Sequence, residues 1–155
     1  DGETLKVLLV ERGGEPYKGC WAFPGGFLNM DETTDECAVR ELEEETGLRD
    51  VFVEQLQAFS DVDRDPRGRT ITVAYYALVN PVGINVAGYD DAADARWFTL
   101  SDMPSLAFDH EHVLQVALHR LALKVYLQLN EIEELDEHFK GFDLKRLQDL
   151  IPDKL

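Results

Sequence analysis

Glu41, Glu44 and Glu45 stand three and one residues apart in the run VRELEEETGL. On a helix, with about 100° per residue, their carboxylates fall within an arc of about 100°. Like charges placed so close repel by a few tenths of a kcal/mol, roughly, per exposed pair. A divalent cation turns that repulsion into binding, and carboxylate oxygens are the hard ligands that Mg²⁺ takes. Just upstream, Pro24-Gly25-Gly26 can continue neither strand nor helix. It leaves bare backbone carbonyls beside the acidic run, and a carbonyl is a second ligand type for Mg²⁺. Its glycines also let phosphate oxygens approach the main chain. The competing reading of the same residues is a solvated acidic helix face.

The element carrying the glutamates is the best marked in the chain. Thr33, with Glu36 three residues later, forms a capping box, and Gly47 followed by Leu48 supplies a left-handed stop, so a helix is predicted over Thr33 to Thr46. Ala38, Val39 and Leu42 fill the arc next to the acids and are expected to bury against a sheet. Strands are predicted over Thr4 to Glu11, Val51 to Ser60, Thr70 to Asn80 and Ala95 to Leu100, with a short apolar stretch at Trp21 to Phe23. Asp109 can cap a long helix reaching about Asn130, whose Val113, Val116, Ala117, Leu121 and Val125 recur at helical spacing. Strands and helices alternate irregularly, which predicts an α/β fold with a mixed sheet between helices. One domain over 1–130 is expected. An acidic tail over 131–155, with a short helix around Leu144 to Ile151, is expected to be part of the same unit. The first apolar run starts so close to Asp1 that an upstream strand or tag is one expectation.

The sequence has 155 residues, 15 basic and 31 acidic, for a formal charge of -16. Such a charge repels nucleic acid and membranes, so neither is an expected partner. It also means that an anionic ligand needs cations at its site. The charge is uneven: Asn29 to Asp50 holds nine acids against two bases. Cys20 and Cys37 have no zinc-ligand spacing and cannot staple a domain of this size, which points to a reducing cytoplasm. His110 and His112 form a His-x-His pair, yet no other zinc-type donors accompany them, and a surface position at a helix start is expected.

The run GFLNMDETTDECAVRELEEETGL, Gly26 to Leu48, resembles the Nudix box at every fixed position. Gly26 leads after five residues to Glu32, and seven more lead to Arg40-Glu41, Leu42, Glu44-Glu45 and Gly47-Leu48. Nine fixed positions in 23 residues make this far more specific than a glycine loop. The resemblance implies the Nudix fold and a loop-helix that binds Mg²⁺, with Mn²⁺ able to substitute, around a pyrophosphate. It implies Glu41, Glu44 and Glu45 as metal ligands, with the Gly25 carbonyl as a further one. Arg40 would orient the glutamates and Glu32 would support it. In-line attack by water on the diphosphate follows, and it needs a base. Many members carry that base on a loop before a strand resembling Arg96-Trp97-Phe98. Asp90, Asp91 and Asp94 occupy that place, and Asp91 is the expected residue unless Glu41 or Glu44 serves.

Three further segments, WAFPGGF, FSDVDRDPRGRTITVAYYALV and LAFDHEHVLQVALHRLAL, resemble the ADP-ribose pyrophosphatase branch of that family. The resemblance implies hydrolysis of ADP-ribose to AMP and ribose 5-phosphate. Arg64, Arg67 and Arg69 are the expected substrate contacts, because arginine forks suit phosphate. Pairing with Asp61, Asp63 and Asp65 is their alternative role. Gly25, Gly26 and Phe23 would line the site, and Tyr17, Trp21 and Phe23 could stack on a base or be buried. NADH, a sugar nucleotide or an oxidised nucleotide are the alternative substrates. A neighbouring group resembles ADP-ribose-sensing transcriptional regulators, but the segment after Asn130 is short and net acidic, and no DNA-reading element is expected there. The apolar stripe of the long helix suggests a homodimer, with covering of the sheet as its alternative role.

Overall fold

In the computed structural model, residues 4–80, 84–90 and 92–131 are described. The expected tail helix and Asp91 lie outside them. The described elements run β1 (Lys6–Arg12), β2 (Trp21–Ala22), α1 (Thr34–Thr46), β3 (Glu54–Phe59), β4 (Thr72–Tyr76), β5 (Ala92–Thr99), a 3₁₀ turn (Leu100–Asp102) and α2 (His110–Glu131). The architecture is α/β, as expected from the sequence. One sheet has the order β2-β1-β5 and a second pairs β3 with β4. All these ladders are antiparallel, and a bridge between Trp21 and Leu106 supplies a parallel pairing.

β1 is the central strand of its sheet. Lys6 pairs with Thr99 and the register runs on to Glu11 opposite Asp94, where it slips by one residue before Arg12 meets Ala92. β5 therefore begins three residues earlier than the sequence suggests. Asp90 to Asp94 reads as a solvated acidic turn because aspartate is poor in strands. The ladder to β1, with Ala92 and Ala95 buried beneath, overrides that preference.

α1 ends where its sequence signals say. Thr33 caps it with a reciprocal box to Glu36, and Gly47 closes it at φ 73°, its N–H donating to the Glu43 carbonyl. Burial along α1 is a correction to the expected pattern. Ala38, Val39 and Leu42 are half-buried, whereas Cys37, Glu45 and Thr46 are the buried positions. A buried carboxylate is tolerated only when it is hydrogen-bonded, and the bond that does this is described below.

Val10, Ala22, Ala92, Ala95 and Ala107 form a buried cluster with Cys20, Val86 and Phe108 against it. Four alanines let β1, β2, β5 and the segment before α2 approach closely. The chain forms two compact units, 1–111 and 112–155. In the second, Val113, Leu121, Ala122 and Val125 are buried. No helix among the described residues is long and apolar enough to cross a membrane.

Candidate active site

Arg40 organises the acidic helix. Its Nε donates to Glu32 Oε2 at 2.8 Å and its Nη2 to Glu32 Oε1 at 2.6 Å, a two-pronged fork. Its Nη1 donates to Glu41 Oε1 at 2.7 Å and to Glu44 Oε2 at 2.8 Å. Its Nη2 also reaches the Phe27 carbonyl at 3.3 Å. One cation thus bridges two of the three expected metal ligands. Glu32 accepts from the Asn29 N–H as well, and these bonds, that to Arg40 first, hold its carboxyl at a pKa of about 2. The same partners push the Arg40 guanidinium up, Glu32 most strongly. The Arg40–Glu32 pair therefore stays charged at any physiological pH.

Glu45 is arranged differently. It is 7% exposed, and its Oε2 accepts the Gly25 N–H at 2.8 Å. Gly25 adopts φ 151°, a backbone state that favours glycine. Gly26 has the other requirement. A Cβ built on it would lie 2.5 Å from the Glu41 Cδ, so the absent side chain is what admits the Glu41 carboxylate. The loop and the helix are fitted to each other by two glycines with separate physical reasons.

The donor set is all oxygen and negatively charged, which suits a hard divalent cation. Arg40 already places a positive charge between Glu41 and Glu44. Among the described residues, no three acidic, histidine or cysteine side chains converge closely enough to hold a metal ion as they stand. Glu45 points to Gly25 while Glu41 and Glu44 point to Arg40.

A shallow, open cleft adjoins this helix, lined by Arg12, Gly13, Gly14, Phe23, Gly25 and Glu45 among others. Arg12 is a residue the sequence reading missed. Its Nε donates to the Pro16 carbonyl at 2.8 Å and its guanidinium lies over the Phe108 ring at 4.8 Å. A cation in a cleft beside a buried glutamate is a natural anion contact. The available signal was a lone arginine at a strand end, followed by Gly13-Gly14.

The three arginines of the charged turn separate. Arg64 has a side chain only 5% exposed, and its fork is committed to Asp109 at 2.9 and 2.6 Å with a further bond to Thr72 Oγ1 at 2.5 Å. Its partner is not one of the neighbouring aspartates but a residue 45 positions away. Arg67 forks onto Asp65 and lies over both Phe27 at 5.4 Å and Phe108 at 5.3 Å. The Arg67 fork lowers the Asp65 carboxyl below its usual range. Arg69 donates to the Asp61 and Thr70 carbonyls. Asp94 lies in β5, where it accepts from Arg96 Nε and from the Ala95 N–H, and Asp90 sits at φ 53°.

The aromatic candidates have intramolecular partners. Trp21 meets Phe98 edge-on at 4.6 Å, Tyr17 meets Phe108 at 4.8 Å, and Phe23 stacks on His110 at 5.1 Å. His110 is a correction: it is half-buried at the helix start rather than an open surface residue. Burial holds its imidazole at a pKa of about 4, and its Nδ1 accepts the Phe23 N–H at 3.0 Å. His112 is exposed.

A sequence profile of the NUDIX domain matches residues 1–118. The chain belongs to the Nudix family. This Nudix chain is 43% identical over 110 residues to an ADP-ribose pyrophosphatase of Methanocaldococcus jannaschii, covering 71% of this chain and 64% of that one. It is 34% identical over 155 residues to the ADPR responsive transcriptional repressor NtrR of Acinetobacter baylyi, covering 97% of this chain and 62% of the repressor. The Nudix chain thus spans a little under two thirds of the length of these two curated relatives. Its fold resembles the NUDIX domain of Shewanella oneidensis NrtR, a structure solved in complex with ADP ribose, with a TM-score of 0.70, 36% identity and coverage of 76% of this chain and 79% of that one. The Nudix box identified from the sequence therefore lies on the Nudix fold.

Proposed function

We propose that this chain is a divalent-metal-dependent pyrophosphohydrolase that splits ADP-ribose into AMP and ribose 5-phosphate. The observation that supports it is the Arg40 network: a charged fork holds Glu32, Glu41 and Glu44 together, one helical turn from a Glu45 tied to the glycine loop. Glu41, Glu44, Glu45 and the Gly25 carbonyl would hold Mg²⁺, with Mn²⁺ as a substitute. When bound, the metal neutralises the diphosphate, polarises a P–O bond and lowers the pKa of water. The remaining work falls to the chain. Arg40 keeps the carboxylates oriented, with Glu32 as its anchor. The Pro24-Gly25-Gly26 backbone leaves room for phosphate oxygens, and Arg12 supplies a cation at the cleft. A carboxylate, Asp91 by family resemblance or else Glu41 or Glu44, takes the proton as the water oxygen bonds to phosphorus and the bond to the bridging oxygen breaks. Arg67 and Arg69 are the turn residues we assign to substrate, with Phe23 and Gly26 lining the site. Arg64 would support that turn from within. We place the catalytic unit at 1–130, in a reducing cytoplasm, as a homodimer.

A second reading is favoured by the NtrR similarity, which spans nearly the whole chain: a domain that binds ADP-ribose and responds to it. The intact box supports catalysis, since a sensor has no need of three oriented carboxylates. One assay separates the two readings. At a single Mg²⁺ concentration, kcat/KM is measured for ADP-ribose, NADH, a sugar nucleotide and an oxidised nucleoside triphosphate, with Glu45→Gln in parallel. ADP-ribose is expected to lead, and Glu45→Gln to lose about 100-fold or more, the scale of a lost catalytic metal ligand. Another substrate leading by about tenfold would sink the substrate assignment alone. Binding of ADP-ribose without turnover would favour the sensor.

A further inference from the structure

Three consecutive residues, Phe108, Asp109 and His110, each make side-chain contacts to other segments of the first compact unit. Phe108 packs on Tyr17 and lies beneath the guanidinium groups of Arg12 and Arg67. Asp109 takes the fork of Arg64. His110 takes Phe23. Phe108 adopts φ 55°, which a bulky residue keeps only where its surroundings over-determine it.

Of the three, His110 leads straight to the acidic helix. Its Nδ1 accepts the Phe23 N–H at 3.0 Å, and the two rings stack at 5.1 Å with 24° between their planes. Two residues on, the Gly25 N–H donates to Glu45 Oε2 at 2.8 Å. Pro24 stands between, with its φ fixed by the pyrrolidine ring. Phe23 to Gly25 is therefore a stiff link between an imidazole at one end and a carboxylate at the other. An Nδ1 that accepts requires the ring proton to sit on Nε2.

We propose that His110 is a positioning residue: by accepting the Phe23 N–H and stacking on the Phe23 ring it fixes the glycine loop, and through the Gly25 N–H it sets the orientation of the Glu45 carboxylate. His110 itself touches neither substrate nor metal. The low imidazole pKa, set first by burial, agrees with a ring that stays neutral and accepting at physiological pH. The proposal rests on the reading of Glu45 as a metal ligand.

The test compares His110→Asn with His110→Gln in the full chain. The Asn Oδ1 takes the place of Nδ1, whereas the longer Gln amide reaches toward the place of Nε2 and leaves the Phe23 N–H without its acceptor. Both replacements are neutral and polar, and circular dichroism with thermal melting checks that each is folded. Mn²⁺ binding is titrated by electron paramagnetic resonance without nucleotide, and the Mg²⁺ requirement and KM for ADP-ribose are measured beside it. Disturbing the partner that orients a metal ligand weakens metal binding by about tenfold or more, so His110→Gln is expected to lose that much Mn²⁺ affinity and to need correspondingly more Mg²⁺. KM at saturating Mg²⁺ should stay within about twofold, and His110→Asn should return both metal readouts to within about twofold of the parent. Equal Mn²⁺ affinity in His110→Gln and the parent, or equal impairment of both variants, would overturn the proposal. A long-range ¹⁵N–¹H spectrum of the parent needs no variant: the Nε2–H tautomer is expected, and an Nδ1–H tautomer overturns the proposal. A parent that binds Mn²⁺ and supports these differences but hydrolyses nothing would remove the catalytic reading and leave the positioning role standing. A parent that binds no Mn²⁺ overturns both.

Discussion

Arg40 and Arg64 show how one residue type does two different jobs. Arg40 has a partly open side chain, and its donors spread over Glu32, Glu41 and Glu44. Arg64 is nearly enclosed and faces one carboxylate squarely. Removing one partner of an enclosed pair leaves the other charge buried and uncompensated. Arg64→Ala is therefore expected to lower unfolding free energy by about 3 kcal/mol in urea titrations. Arg69 bonds only to backbone carbonyls at the surface, and Arg69→Ala should change stability by less than about 0.5 kcal/mol. If Arg69 contacts substrate, its loss appears instead in kcat/KM, by roughly 1.5–3 kcal/mol for a charged hydrogen bond. Equal stability of the two variants would show that Arg64 does not hold the turn in place.

At the scale of elements, the site is one loop fitted to one helix. α1 carries its own start and stop signals. What the glycine loop adds is the placement of the carboxylates. Gly26→Ala tests that division of labour. The group a new Cβ would meet is the end of the flexible Glu41 side chain, which can move away at small cost. Stability should fall by no more than about 1 kcal/mol. Activity should fall by about tenfold or more, because a displaced catalytic carboxylate is felt far beyond its effect on the fold. Parallel melting and kinetics check this, and a variant with parental kcat/KM would show that the close approach of Gly26 to Glu41 is incidental.

At the scale of the whole molecule, pH and charge set the predictions. The folded state holds the His110 imidazole at about 4, below its ordinary 6.5, with burial as the main cause, the nearby Asp109 opposing it, and Arg64 and Arg12 reinforcing it. Between those values the unfolded chain binds more protons than the folded one, so stability falls as pH drops from 6.5 to about 4. The loss attributable to this group is on the order of 3 kcal/mol. Denaturant titrations at several pH values should show that slope, and His110→Asn should flatten it. Glu32 acts in a lower window, because its folded value is depressed: its contribution is present above the ordinary 4.5 and is lost as pH falls toward about 2. The charge of -16 carries a separate prediction. No sequence-dependent binding to duplex DNA is expected at physiological salt, with or without ADP-ribose. A salt-sensitive, sequence-dependent mobility shift would revive the regulator reading.

Much of this was legible in the order of residues alone. The α1 helix, its two ends, the acidic arc and the glycine loop are local features, governed by capping, periodicity and turn chemistry that act within a few residues. The Nudix box could be read for the same reason, since its parts lie within 23 consecutive positions. Pairings between distant segments were not legible. Nothing near Arg64 in the sequence points to Asp109; the sequence suggests a substrate contact, with the adjacent aspartates as alternative partners. His110 reads as a surface histidine until the fold brings Phe23 to its Nδ1. Glu45 lies in the acidic arc with Glu41 and Glu44, but its burial and its bond from the Gly25 N–H, which set it apart from them, come from the fold. Arg12 joins the cleft because β1 lies between β2 and β5, an arrangement that no local pattern encodes. Sequence determined which groups could do chemistry, because type and spacing along a helix are local. Tertiary structure decided which of them are buried, paired or open to a ligand, because desolvation and hydrogen bonding depend on the segments that surround a group and not on its neighbours in the chain.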